Sequence, residues 1–313
     1  MSRVLVTGAT GFCGRPLVTR LADAGYAVRA AVRGTPAPEL ARTVEIAQAD
    51  LAASVAWEPL LADVDAVVHL AGIAHARARI PDERYDAINH LATAGLAQAA
   101  RAAGVQHVVF VSSVRAQSGS AADHVLSESD APQPNDAYGR SKLAAEAAVA
   151  AAGAPYTILR PVLIYGPGLK GNLATLARLA ALPLPLPLPL AGFANRRSLL
   201  GVGNLIGAIL FALQNPAMRG ETYLVADPQP VSFADIVTAF RTGHGRPPGL
   251  FRVPPGLIAP AARLVGGADL WDRLGGELVV NPAKLMAAGW SPERDTKAAL
   301  SALARAPAAA AAA

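Results

Sequence analysis

The chain has 313 residues, 52% of them hydrophobic and only 16% charged, with a mean hydropathy of +0.32. That composition excludes a disordered or charge-solvated chain and suits one large α/β domain, or a main domain with a smaller companion. The net charge is +5, yet the arginines are scattered and only four residues are lysine, so the clustered basic stripe that nucleic acid requires is absent.

The single cysteine, Cys13, excludes a disulfide framework and a multi-cysteine metal site. The histidines show no ligand spacing, so no metal is expected. The first apolar run is five residues long and ends at Gly8, too short for a signal peptide. The longest one, 179–194, has proline at 183, 185, 187 and 189, which prevents a membrane-spanning helix. A cytoplasmic protein without a membrane span is expected. The Pro-Leu alternation itself should lie extended, as a stiff linker or as a wall beside a ligand cleft.

Apolar runs at 3–7, 27–32, 44–47, 66–70, 107–111 and 156–159 read as buried strands. Helical stretches at 14–24, 85–103 and 138–152 separate them. Strand and helix alternating this often imply a doubly wound parallel sheet of Rossmann type, covered on both faces. The second half is richer in proline and glycine, with helical patterns at 173–182, 202–213 and 233–242.

After the first strand comes Gly8-Ala9-Thr10-Gly11-Phe12-Cys13-Gly14, opening the first helix. Glycines in that context permit a tight turn and close backbone approach to a pyrophosphate, which the free N–H groups of the helix then receive. Gly8, Thr10, Gly11, Phe12 and Gly14 are therefore the expected cofactor cradle. Cys13 reads as a packed small residue inside it. The second strand carries no carboxylate and ends in Arg33, where arginine accommodates the 2′-phosphate of NADP and an acidic residue would select NAD. NADP is favoured over NAD on that ground. Asp50 and Leu51 end the third strand, Asp50 either meeting adenine or capping the next turn. The fourth strand runs out in Leu70, Ala71 and Gly72, small enough for a ribose to lie on backbone.

Tyr138 and Lys142 stand one helical turn apart, a spacing that chance supplies about 0.08 times in a chain of this composition. A cation beside a phenol favours the phenolate, so Lys142 is expected to lower the Tyr138 pKa. The fifth strand ends in Ser112-Ser113, at the edge of a doubly wound sheet where ligands bind. A hydroxyl there can bond the reacting oxygen. Ser113 is the candidate.

Together, Gly8-x-x-Gly11-x-x-Gly14, Ser113, Tyr138-x-x-x-Lys142 and Arg160-Pro161-x-x-x-Tyr165-Gly166-Pro167-Gly168 resemble the extended short-chain dehydrogenase/reductases. More narrowly the chain resembles the NAD(P)-dependent nucleotide-sugar epimerases, dehydratases and 4-ketoreductases. The resemblance implies Tyr138 as proton carrier, Ser113 bonding the same substrate oxygen, and Lys142 holding the ribose and tuning the phenol. It implies that Asn89 supports the active-site network, that Pro161 lines the cofactor, and that Asn172 and Arg197 contact the diphosphate. It also implies a Rossmann domain over 1–165 and a substrate-binding part over 166–313, with segments near 196–226 returning to the first. A homodimer is expected by the same analogy.

Three departures bear on the activity. Dehydratases of this group need an acid and a base directly after the strand-end hydroxyl residue, where this chain has Val114-Arg115. Neither shuttles protons at neutral pH, so dehydration is disfavoured. Ser118-Gly119 replaces the usual Tyr-Gly, and Asn204 stands where an aspartate is common, which weakens an expected helix cap. Two redox outcomes remain, net reduction of a 4-keto nucleotide sugar, favoured by Arg33, and 4-epimerisation with tightly held NAD. A non-catalytic NAD(P)-binding assembly or regulatory protein is a third reading, disfavoured by the intact Ser113, Tyr138 and Lys142.

Overall fold

The structure, a computed structural model, describes residues 2–305 except 36–39, 41, 43, 75–79, 170, 183–190, 193, 255, 258–275 and 294, with backbone alone at 171, 172 and 179. The Pro-Leu run lies outside the described residues. Among the described residues, no helix is long and apolar enough to cross a membrane.

Seven parallel strands form one sheet: β1 (Arg3–Thr7), β2 (Ala27–Val32), β3 (Glu45–Gln48), β4 (Ala66–His69), β5 (His107–Val111), β6 (Tyr156–Pro161) and, from much later in the chain, β10 (Glu221–Val225). Their spatial order is β3-β2-β1-β4-β5-β6-β10, the doubly wound order in which the chain reverses direction at β1 and β4. Alternation along β1 divides the core. Val4 and Val6 join Leu17, Val18 and Leu21 of α1 (Gly14–Asp23) and Leu205 and Ile209 of α7 (Val202–Gln214) on one face. Leu5, on the other face, joins Trp57 and Leu60 of α2 (Trp57–Leu61) and Leu96 of α4 (Ala92–Ala102). Both faces are covered, which is why the strands read as continuous apolar runs.

The long helix expected over 85–103 is divided. A short α3 (Asp82–Tyr85) leads into a π-helical turn, Asp86–Leu91, before α4 begins. The Tyr138–Lys142 helix is α5 (Ala137–Ala151), capped by Asp136, whose Oδ1 accepts from the Gly139 N–H at 2.7 Å. Beyond the sheet, β7 (Leu163–Tyr165) pairs in parallel with β9 (Leu199–Gly201), and β8 (Arg196–Arg197) pairs antiparallel with β11 (Val231–Ser232). A second apolar core gathers Leu173 from α6 (Gly171–Ala181), Phe233, Ile236 and Phe240 from α8 (Phe233–Gly243), and Leu300 from the C-terminal helix (Thr296–Arg305). Ser232 and Asp235 form a reciprocal capping box at the start of α8.

Candidate active site

The sheet's carboxyl edge collects the site. Gly8 follows β1 with φ +70°, a conformation open to glycine. A Cβ on Gly8 would lie 2.9 Å from the Ala71 nitrogen, and one on Gly14 only 2.0 Å from the Gly8 carbonyl oxygen. Turn, helix and fourth strand therefore meet at a closeness that only glycine allows. Among the described residues no side chain caps α1, and its first turn holds no acidic residue, which suits its N–H end to an anion. This cradle fits a dinucleotide pyrophosphate. Thr10 and Gly11 are exposed and Phe12 is half-buried, its ring 3.5 Å from where a Cβ on Gly166 would stand. Cys13 is half-buried, and burial pushes its thiol up to about 11, which makes it unreactive packing.

Arg33 is exposed one residue beyond β2. The neighbouring Gln48 side chain donates to the Gly34 carbonyl at 3.3 Å, which ties the two strand ends together. Asp50 is exposed and takes the turn role: its Oδ1 accepts from the Ala52 N–H at 3.0 Å. Leu51 and Leu70 are half-buried, while Ala71 is buried and its N–H donates to Thr7 Oγ1 at 3.2 Å. His69 bridges Thr7 Oγ1 and Thr93 Oγ1 at 2.6 and 2.8 Å, and burial, with the nearby Lys142 charge, holds its pKa down at about 3. It is a structural, neutral histidine.

Asn89 is 1% exposed and lies in the π-helical turn. Its Oδ1 accepts from the Ile73 N–H at 2.8 Å, and its Nδ2 donates to the Ile73 carbonyl and to Ser141 Oγ at 2.9 and 3.1 Å. One amide thus ties the loop after β4 to the face of α5 between Tyr138 and Lys142. A Cβ on Gly72 would meet that amide oxygen at 2.8 Å.

Ser113, buried just past the end of β5, lies near enough to Tyr138 for its hydroxyl to lower the phenol's pKa by hydrogen bonding. The Lys142 side chain runs beneath them, donating from Nζ to the Val111 carbonyl at 2.9 Å and lying 4.3 Å from the centre of the Phe110 ring. Burial pulls its ammonium down to about 7, with the Glu146 charge acting in the opposite direction. This corrects the expected tuning of Tyr138. Burial raises the Tyr138 pKa, and hydrogen bonding by Ser113 and the Arg115 charge oppose that rise. One donor of the lysine goes to the β5 carbonyl.

Pro161 is buried at the end of β6, in register with Val225. Arg197 is half-buried, and its Nε and Nη2 donate to the Gly276 and Ser120 carbonyls, each at 3.1 Å. Burial, then the Arg115 charge, lowers its pKa. Asn172 lies in the first turn of α6, its side chain outside those described.

Asp227 escaped the sequence reading. Buried two residues past β10, its Oδ2 accepts from the Tyr165 hydroxyl at 2.8 Å and its Oδ1 from Asn204 Nδ2 at 2.7 Å, and both oxygens receive the Gly201 N–H. The missing aspartate at 204 is thus replaced by a carboxylate from elsewhere in the chain, held by Asn204 itself. Helix α7 has no side-chain cap of its own, and that deficiency was the available signal.

A doubly wound parallel sheet with a glycine turn after β1 and a serine–tyrosine–lysine set at its carboxyl edge defines an extended short-chain dehydrogenase/reductase. Within that class, the chain belongs to the NAD dependent epimerase/dehydratase family, whose sequence profile matches residues 4–226. It is similar to UDP-glucose 4-epimerase of Vibrio cholerae, 32% identical over 305 residues, covering 92% of this chain and 90% of that protein. It is also similar to ceramide reductase of Caulobacter vibrioides, 30% identical over 276 residues, covering 87% and 78%. Among solved structures, MoeE5 in complex with UDP-glucose and NAD superposes with a TM-score of 0.76 at 26% identity, over 97% of both chains.

Proposed function

We propose that this protein binds a nicotinamide dinucleotide and carries out redox chemistry at C4 of a nucleotide-activated sugar, as a 4-epimerase. The observation that carries the redox reading is the meeting of Ser113 and Tyr138 just past the end of β5, with the Lys142 side chain reaching the Val111 carbonyl beside them. Likeness to the Vibrio cholerae epimerase across nearly the whole of both chains supports the epimerase form. The cradle from Gly8 to Gly14, with Ala71, Gly72 and Asn89 opposite, would hold the dinucleotide, which supplies the hydride acceptor and donor.

Tyr138, as the phenolate that the Arg115 charge and the Ser113 hydroxyl favour, would take the proton of the C4 hydroxyl as the carbonyl forms and return it when that carbonyl is reduced. Ser113 donates to the same oxygen, steadying the charge that develops there. Lys142, with one donor on Val111, has two left for a ribose. Arg197, and Asn172 by its place in α6, would reach the diphosphate.

Net reduction of a 4-keto sugar with NADPH is the second reading, favoured by the exposed Arg33 at the end of β2. A Tyr138 phenol held neutral by burial also suits proton donation to a carbonyl.

Purified protein given UDP-glucose or UDP-galactose, without added cofactor, tests these readings. Interconversion supports the epimerase, and oxidation of NADPH by a nucleotide 4-keto-sugar supports the reductase. Turnover of a keto-lipid alone overturns the substrate class. Tyr138→Phe should lower kcat by about 10²–10⁴-fold and leave dinucleotide affinity nearly unchanged, since the ring and its packing remain. More than about a tenth of the rate surviving would assign the proton to another group.

A further inference from the structure

Arg115 occupies the place where a dehydratase of this family would need a proton-transferring side chain, and here it does something different. It follows Ser113 in a 3₁₀ turn, Val114–Ala116, and its N–H donates to Ser113 Oγ at 3.1 Å. Its guanidinium crosses to the start of α5, donating from Nη2 to Asp136 Oδ2 and, at 3.3 Å, to Asn135 Oδ1. The other oxygen of Asp136 accepts the Gly139 N–H at 2.7 Å. A single carboxylate therefore caps the helix that carries Tyr138 and grips the turn that carries Ser113.

The two backbones are in contact at this point. A Cβ on Gly139 would stand 2.3 Å from the Arg115 carbonyl oxygen, so the approach depends on glycine. The paired side chains are only 15% and 28% exposed, where a charge-assisted hydrogen bond is stronger than in open water.

We propose that Arg115 and Asp136 are positioning residues, an ion-paired clamp that holds the Ser113 hydroxyl against the Tyr138 phenol for proton transfer. This rests on Tyr138 being the proton carrier. The position that serves dehydration elsewhere in the family is here converted into a support for simple redox turnover. The clamp also has two electrical ends. The Arg115 charge favours the Tyr138 phenolate, and the Asp136 charge disfavours it.

The test uses Arg115→Gln and Asp136→Asn, the latter keeping a side chain able to cap α5. Tyrosinate absorbance is titrated in each full-length protein, and in the same protein also carrying Tyr138→Phe, so that the difference isolates Tyr138. Arg115→Gln should move the Tyr138 titration to higher pH and Asp136→Asn to lower pH. In turnover, Arg115→Gln should lose about tenfold to a hundredfold in kcat with little change in KM, as a misplaced reacting group does. Arg115→Lys, which keeps the charge, should recover much of that loss.

Unchanged kcat in Arg115→Gln overturns the clamp. So do titration shifts of the same sign in both variants, or a lower kcat that tracks a lower Tm with no titration shift. If Tyr138→Phe itself stays active, the proton-carrier reading fails separately, and the opposed titration shifts still test the clamp.

Discussion

Arg160 and Glu146 meet in a buried ion pair, Nη2 to Oε2 at 2.6 Å, with side chains 8% and 5% exposed. Glu146 also accepts from Ser112, and Arg160 Nη1 donates to Gln117 Oε1 at 2.9 Å. The pair joins β5, α5 and β6 directly behind the reacting side chains. Removing one partner strands a buried charge, which costs about 3–5 kcal/mol. Glu146→Gln should therefore destabilise strongly in urea titrations, while a double replacement by Glu146→Leu and Arg160→Met should recover most of the loss. A Glu146→Gln protein within about 1 kcal/mol of the parent would show that the pair is dispensable.

The pH dependence of stability should carry the signature of Lys142. Its ammonium titrates near 7 in the folded protein, through burial, against about 10.4 in an unfolded chain. Between those values the unfolded state binds more protons, so the Lys142 contribution becomes less unfavourable as pH rises. Below about 7 both states are protonated and the penalty is complete. Lys142→Met removes this dependence. Denaturation at several pH values should show the parent gaining on the variant from about pH 7 to pH 10. Parallel curves would contradict the buried, weakly basic lysine.

Gly14→Ala should disable the cradle. The added methyl would stand 2.0 Å from the Gly8 carbonyl oxygen and 2.8 Å from the Ala9 Cα. Both are backbone, so the turn must move away from α1 and lose its hold on the phosphates. Isothermal titration with NAD should show dinucleotide binding weakened at least about a hundredfold, equal to losing about 2.7 kcal/mol. Affinity within threefold of the parent would place the pyrophosphate elsewhere.

What the sequence made legible follows from how each feature is encoded. The ends of β1, β2 and β5 coincide with their apolar runs because a parallel strand buried on both faces needs apolar residues throughout. The Gly8–Gly14 turn and the Tyr138–Lys142 spacing are local, so both could be read directly. The last sheet strand, β10, was not legible: it is five residues long, opens with Glu221, and pairs with β6 more than sixty residues upstream. The π-helical turn at Asp86–Leu91 leaves no trace in apolar periodicity, yet it is the turn that carries Asn89. The upward direction of the Tyr138 pKa was missed for a related reason, since burial is set by the whole fold. Helical spacing gives a shared face, but the Val111 carbonyl that captures the ammonium comes from another strand.

Arg33→Asp should shift dinucleotide preference from NADP towards NAD. Arg33 is exposed at the end of β2, which contains no carboxylate, and Asp50 at the end of β3 already accepts a turn N–H. A guanidinium there can meet a 2′-phosphate with charge assistance, an interaction of about 1.5–3 kcal/mol, so its loss should weaken NADP binding by about ten- to a hundredfold. The new carboxylate would repel the same phosphate and accept from the two ribose hydroxyls of NAD instead. Titration of parent and variant with both dinucleotides gives the ratio directly, without requiring the sugar substrate. A parent that already prefers NAD would remove the support for net reduction and leave the epimerase reading alone. A parent that prefers NADP, with a variant that does not, would make Arg33 the residue that selects the cofactor.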